Sequence, residues 1–150
     1  MRAAGSQSRS SSAPPAGSAG RWRWELSGGR SLELGGRAVI MGIVNVTPDS
    51  FSDGGKFAEQ DAALEQGRRL LEEGAAIVDV GGQSTRPGSA EVTVEEELRR
   101  VMPVIEGLRA RSGAAISVDT YRAEVARAAL EAGADIVNDI SAFRFDEAML

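Results

Sequence analysis

The chain has 150 residues, with 17 basic and 22 acidic side chains, a formal net charge of −5, and neither cysteine nor histidine. That length suits one ordinary domain, and the acidic balance argues against nucleic-acid or anionic-membrane surfaces as partners. The composition excludes disulfides, thiolate metal sites, a cysteine nucleophile and a histidine base, which leaves carboxylates, amides, hydroxyls, arginine and a bound ion for any chemistry.

Residues 1–20 hold six Ser, five Ala, three Gly and two Pro. Such a stretch buries too little apolar surface to offset its chain entropy, so a disordered extension over 1–20 and one folded unit over 21–150 are expected. Its arginines and serines also suit an organelle transit peptide, but no large apolar residue precedes Trp22 to form an amphipathic face. No apolar run approaches the ~18 residues of a membrane span, and the expected setting is cytoplasmic.

Alternation in Trp22–Leu26 and Ser31–Leu34, around Gly28-Gly29, predicts a short hairpin. The near-continuous apolar run Ala38–Val44 reads as a strand buried on both faces. A loop follows over Asn45–Gly55, then an amphipathic helix over 57–73, with Ala63, Gly67, Leu70 and Leu71 inward and Gly74 closing it. Ala76-Ile77-Val78 predicts the next strand, and Gly81–Ser89 the next loop.

Thr93-Val94-Glu95-Glu96 has capping-box spacing and opens a helix buried through Leu98, Val101, Ile105 and Leu108. Pro103 should bend or break it. Ala115–Val118 predicts a third strand of this series. A helix over 121–132 follows, with Thr120 as N-cap and Val125, Ala128 and Ala132 inward, and Ile136-Val137 predicts the fourth strand. Strand, loop and helix in repetition imply a parallel sheet with right-handed crossovers. That leaves a doubly wound sheet or a (β/α)8 barrel, and no G-x-G-x-x-G follows any strand.

Each strand runs into an amide or a carboxylate: Asn45, Asp79, Asp119, and Asn138 with Asp139. In parallel α/β folds that edge carries the ligand site. Asn and Asp also favour strand ends simply as turn caps, an alternative that weakens as the number of such ends grows. Convergent Asp and Asn suit a flat heterocycle, because a carboxylate accepts from ring N–H and amino groups and an amide both donates and accepts. The loop Gly81-Gly82-Gln83-Ser84-Thr85-Arg86-Pro87-Gly88 could offer N–H groups and a guanidinium to phosphate, or be a solvated turn. Asn45, Asp49 and Asp53 have oxygens that could hold Mg2+.

The segments Met41–Gly55 and Asp79–Gly88 resemble the first two signatures of the dihydropteroate synthases, and Ile116–Thr120 and Ile136–Ile140 resemble the family's next two strand ends. The resemblance covers residues 22–150, in order. It implies a (β/α)8 TIM barrel of the pterin-binding type, with only about the first four βα units present after an N-terminal β-hairpin. It implies condensation of a dihydropterin methyl diphosphate with 4-aminobenzoate, with release of pyrophosphate, in folate biosynthesis.

Carried over residue by residue, the resemblance suggests Asn45 as a Mg2+ ligand and Thr85 and Arg86 as contacts to the diphosphate and second substrate. Asp119 and Asn138, with Asp79, would read the pterin edge. Phe51 and Pro87 would shape the aminobenzoate pocket, and Asp53 would lie near the reacting centre. Asp53 and Arg86 are the catalytic candidates. A homodimer is implied for the full-length enzyme, with small-molecule substrates and no nucleic-acid or membrane partner.

Two departures stand out. Gln83 replaces a Glu usual in the family, and the family's later motifs are absent: a second pterin-binding Asp, a substrate Lys and an Arg–His pair. The chain is therefore expected to be the N-terminal half of such an enzyme, from a truncated reading frame. The competing expectations are a non-catalytic half-barrel that assembles with another chain, and a methyltetrahydrofolate methyltransferase-like pterin enzyme, which has no diphosphate to bind.

Overall fold

The computed structural model describes residues 20–47, 55–84 and 91–150. The expected extension, as far as residue 19, lies outside them, as do Phe51, Asp53, Thr85, Arg86 and Pro87.

The hairpin forms as expected. Strand β1 (Trp22–Glu25) pairs antiparallel with β2 (Ser31–Leu34), Trp22 opposite Leu34 and Glu25 opposite Ser31. A 3-10 turn over Ser27–Gly29 joins them, with Gly28 and Gly29 at φ 61° and 75°. An L side chain is strained in that region, which is why the turn falls on the glycine pair.

Four parallel strands follow: β3 (Met41–Asn45), β4 (Ile77–Gly81), β5 (Ala115–Asp119) and β6 (Ile136–Asn138). They lie side by side in chain order. Between them run α1 (Gly55–Glu72), α2 (Val94–Arg111) and α3 (Ala123–Glu131). Helix α2 packs against both α1 and α3. A doubly wound sheet reverses its strand order and places helices on both faces. Sequential order with neighbouring crossover helices is instead the wall of a (β/α)8 barrel, here four strands of it.

Side chains alternate across each strand. Val44, Val78, Val80, Ile116, Val118 and Val137 face the helices and form the core with Val101, Val104, Ile105 and Val125. The helices approach closely where side chains are missing. A Cβ on Gly67 would stand 2.8 Å from Leu108, and one on Gly107 2.6 Å from Leu64, so α1 and α2 interlock leucine into glycine.

Several boundaries differ from expectation. Strand β3 begins at Met41, not Ala38, and β4 runs to Gly81, so Asp79 is its third residue rather than its last. Helix α2 starts as expected, Thr93 Oγ1 accepting from the Glu96 N–H at 3.2 Å, but continues unbroken through Pro103. The lost N–H costs one intrahelical bond, which burial of the adjacent Val101, Val104 and Ile105 outweighs. Helix α3 begins at Ala123, so Thr120 is not its N-cap: Thr120 Oγ1 accepts from the Arg122 N–H (3.2 Å), and Asp146 Oδ2 accepts from the Ala123 N–H (2.8 Å). Its buried residues are Ala123, Val125, Ala126 and Ala129; Ala128 and Ala132 are only half-buried.

Candidate functional site

Parallel register places Asn45, Gly81, Asp119 and Asn138 in one row across the sheet. Ile43, Asp79, Ser117 and Ile136 form the row beneath. Because side chains alternate, both rows share the face turned away from the helices. The sequence-predicted Asn45, Asp79, Asp119 and Asn138 are thus brought together, although Asp79 lies one layer deeper than a strand end.

The rows are linked. Asn138 Nδ2 donates to Asp79 Oδ2 at 3.0 Å, reaching across β5. Asp79 Oδ1 and Ser117 Oγ are buried and have no partner among the described residues. Unpaired buried polar atoms cost stability, and beside a second carboxylate and an amide they leave hydrogen-bonding capacity for a ligand's polar edge. Gly81 keeps the ground between its neighbours open: a Cβ there would stand 3.5 Å from Asp119 Oδ2 and 3.6 Å from Asn45 Oδ1.

The charges crowd. Burial pushes the Asp119 carboxyl up to about 6, and the negative charges of Asp79, Glu97 and Asp139 push in the same direction. Glu97 arrives from α2, is 2% exposed, and pairs with Arg122 at 2.9 Å. Asp139 turns away from the face instead. It accepts from the Ser141 N–H (2.7 Å), the Ser141 hydroxyl (3.1 Å) and the Phe143 N–H (2.8 Å), so that the upward push of burial is outweighed and its carboxyl sits below the usual range. For Asp139 the turn-capping alternative is the right one.

Ser117 and Glu97 fall outside the strand-end pattern that selects Asn45, Asp79, Asp119 and Asn138. Ser117 is a lone polar residue two before Asp119, on the same strand face; Glu97 falls in step with the buried stripe Val101, Ile105 and Leu108. For Glu97 the signal is a charged residue in phase with an apolar stripe, and for Ser117 it is a polar residue on the same strand face as Asp119.

The described ends of the second loop are anchored. Arg100 Nη1 donates to the Gly82 carbonyl at 2.8 Å, and Gln83 Nε2 donates to the Tyr121 hydroxyl at 3.0 Å. Among the described residues no group of three or more acidic, histidine or cysteine side chains is gathered to hold a metal ion. The arrangement therefore offers carboxylate acceptors, an amide and a hydroxyl on one open face, a donor–acceptor set for the edge of a flat, nitrogen-rich ring.

Comparison with known proteins agrees. Residues 41–150 match the family described as pterin binding enzyme. The dihydropteroate synthase of Synechocystis sp. is 52% identical over 119 residues, 79% of this chain and 41% of that protein. The structure of Xanthomonas albilineans dihydropteroate synthase with 4-aminobenzoic acid superimposes with a TM-score of 0.79 at 55% identity, covering 85% of this chain and 46% of that one. The same enzyme in complex with 7,8-dihydropteroate gives a TM-score of 0.74 at 51% identity, over 45% of its length. The chain thus spans less than half the length of the relatives it matches. No helix among the described residues is long and apolar enough to cross a membrane. The chain belongs to the pterin-binding enzyme family, and its relatives within that family are dihydropteroate synthases.

Proposed function

We propose that this chain supplies the pterin-reading strands and the diphosphate loop of a dihydropteroate synthase. The reaction would join (7,8-dihydropterin-6-yl)methyl diphosphate to 4-aminobenzoate, giving 7,8-dihydropteroate and pyrophosphate in folate biosynthesis. The observation that carries this reading is the polar face of Asp79, Asp119 and Asn138, with Asp79 Oδ1 and Ser117 Oγ left unpaired in it. The identity to dihydropteroate synthases supports it.

In this reading Asp79, Asp119 and Asn138 take the pterin's N–H and amino edge. Thr85 and Arg86 hold the diphosphate and the second substrate, Phe51 and Pro87 line the aminobenzoate pocket, and Asp53 lies near the reacting carbon. The amine lone pair forms the new C–N bond as the C–O bond to diphosphate breaks with its electron pair, and the amine's proton passes to solvent. No protein nucleophile is needed, in keeping with a chain lacking Cys and His. Fixed positive charge where the leaving group develops its negative charge lowers the barrier, and Arg86 would provide it.

Asn45 is the proposed Mg2+ ligand. Its Oδ1 and Asp119 Oδ2 both border the space at Gly81 that a Cβ would fill. An amide and a carboxylate oxygen beside an open position suit an ion completed by phosphate and water oxygens. When bound, Mg2+ would add positive charge at the diphosphate. A cytoplasmic setting and a homodimer of the full-length enzyme complete the reading.

Calorimetric titration of the dihydropterin methyl diphosphate with Mg2+ tests it. The intact chain should bind, and Asp119→Ala should weaken binding about 10- to 100-fold, as expected for loss of a charged hydrogen-bond acceptor. Unchanged binding would defeat the assignment. In a completed barrel, pyrophosphate release upon addition of 4-aminobenzoate separates a synthase from a methyltransferase.

One observation favours a second reading, a half-barrel that assembles with another chain. Strands β3 and β6 are the sheet's edges among the described residues, and Met41 and Ile43 on the inner face are 40% and 56% exposed. Open edges invite pairing. Light scattering should then show association, whereas a monomer with a cooperative melt counts against this reading.

A further inference from the structure

Asn138 stands in the row of strand ends and Asp79 in the row beneath, on the far side of β5. The Asn138 side chain nevertheless meets Asp79, Nδ2 donating to Oδ2 at 3.0 Å. The crossing covers two strand spacings, about 10 Å between backbones. The β5 residue opposite Asp79 is Ser117, buried and small enough to leave room for it. We propose that Asp79 is a positioning residue: by holding the Asn138 amide nitrogen it turns Asn138 Oδ1 towards the ligand, so that the site selects a ring edge with two neighbouring donors, an amino group beside a ring N–H. The identity of the ring rests on the synthase reading; the orientation of the amide does not.

The orientation follows from what each group can do. A carboxylate accepts and cannot donate. The amide facing it must therefore present its nitrogen, and whichever of the two hydrogens Asp79 takes, the far corner of the amide is the oxygen. A flipped amide would set Oδ1 against Oδ2, two acceptors with no hydrogen between them. Asp79 is 3% exposed, and its Oδ2 accepts from no other donor among the described residues. A hydrogen bond to a buried charged group is of the strong kind, so the amide is held one way round before any ligand arrives. Asp79 thus contributes to reading the ring through Asn138.

The selectivity follows from the neighbour. Asp119 is opposite Asn138 in register, and on its other side Gly81 has no side chain to intervene. No donor among the described residues meets either Asn138 Oδ1 or the Asp119 carboxylate. Two acceptors side by side complement two donors side by side. They disfavour a carbonyl or a bare ring nitrogen at the same place, because both partners would then be left unpaired. An amide free to flip would accommodate either edge and lose the distinction.

Calorimetric titration of the intact chain with two rings reads the selection. Pterin carries an amino group beside its ring N–H, whereas lumazine carries an oxo group there. The wild type should bind pterin about 10- to 100-fold more tightly, the range for a hydrogen bond to a charged group. Asp79→Asn keeps the shape, but its amide can meet Asn138 either way round, so the preference should fall to about three-fold or less. Side-chain amide NMR reads the orientation without a ligand. An Asn138 Nδ2 proton should exchange about ten-fold more slowly in the wild type than in Asp79→Ala.

An unchanged preference in folded Asp79→Asn, lumazine bound by the wild type as tightly as pterin, or an Asn138 amide exchanging as fast as in Asp79→Ala would each overturn the proposal. If Asp79→Asn fails to fold, the wild-type preference and the wild-type amide signal decide it in the same sense. A wild type that binds neither ring while its Asn138 amide is protected would sink the synthase reading, and the selection with it, and uphold the orientation.

Discussion

Asp135 and Asp119 are buried or partly buried aspartates at opposite ends of the same sheet, and the protein treats them in opposite ways. Asp135 precedes β6 at the floor. Its side chain is fully buried and accepts from Arg30 (2.7 and 3.0 Å), Arg109 (2.6 Å), the Ser27 hydroxyl (2.8 Å) and the Ile116 N–H (3.1 Å). The upward push of burial is outweighed by Arg30, the Ile116 N–H, Ser27 and Arg109, so this carboxyl lies below its ordinary value. Asp119, at the rim, has no hydrogen-bond donor among the described residues; burial and three other acids raise it to about 6. The floor spends its donors on locking the hairpin to α2, β5 and β6. The rim leaves Asp119 and Asp79 Oδ1 without donors among the described residues, and it is the end to which the proposed function assigns the ligand.

The largest effect should come from breaking the floor. Asp135→Ala strands two arginines in a mostly buried setting and should cost about 3–5 kcal/mol, read by urea unfolding. Its pH signature follows from its lowered folded value. The stabilisation is present above the unfolded pKa near ~3.9 and is lost as pH falls through the folded one. Asp135→Asn should therefore flatten the acid limb of the stability curve.

Next in size is the rim. Asp119→Asn should stabilise the chain at pH 7. A raised folded pKa means stability is highest below the unfolded value near ~3.9 and falls as pH rises towards about 6, a slope that the amide removes. A loss of stability at Asp119 as large as at Asp135 would erase the contrast between the two ends. Pterin-diphosphate affinity should run the other way, weakening as pH falls through about 6 and the Asp119 carboxylate is protonated, and this dependence should vanish in Asp119→Asn.

Smaller effects sharpen the comparison. Thr93→Ala removes the α2 N-cap and should cost about 1 kcal/mol without touching affinity. Arg68 on α1 pairs with Glu65 and Glu72, all three side chains being about half exposed. Arg68→Ala should leave the unfolding midpoint unchanged within error, because exposed pairs are screened.

Much of this was legible in the residues. The strand and helix order follows from apolar runs alternating with amphipathic stretches, and the hairpin from a Gly-Gly pair between alternating segments. The four polar residues Asn45, Asp79, Asp119 and Asn138 stood out because each follows an apolar run. Boundaries were harder: Thr120 looks like a cap for α3, but Asp146, 23 residues on, caps Ala123. Nothing local can announce a cap supplied from beyond the next strand. Glu97 and Ser117 carry a local signal, a polar residue within an apolar stretch, but whether it marks a site or an interruption depends on neighbours that only the fold supplies.

Local chemistry determined which segments become strands and helices, and that carboxylates and amides gather at one edge, because hydrophobic periodicity and glycine's backbone freedom act over a few residues. Only the tertiary structure decided that Asp79 lies a layer below Asp119, that Asn138 bridges to it across β5, and that Asp135 draws in two arginines. Those outcomes depend on strand register and helix docking, which bring together side chains many residues apart and set the dielectric and the donor count around each one.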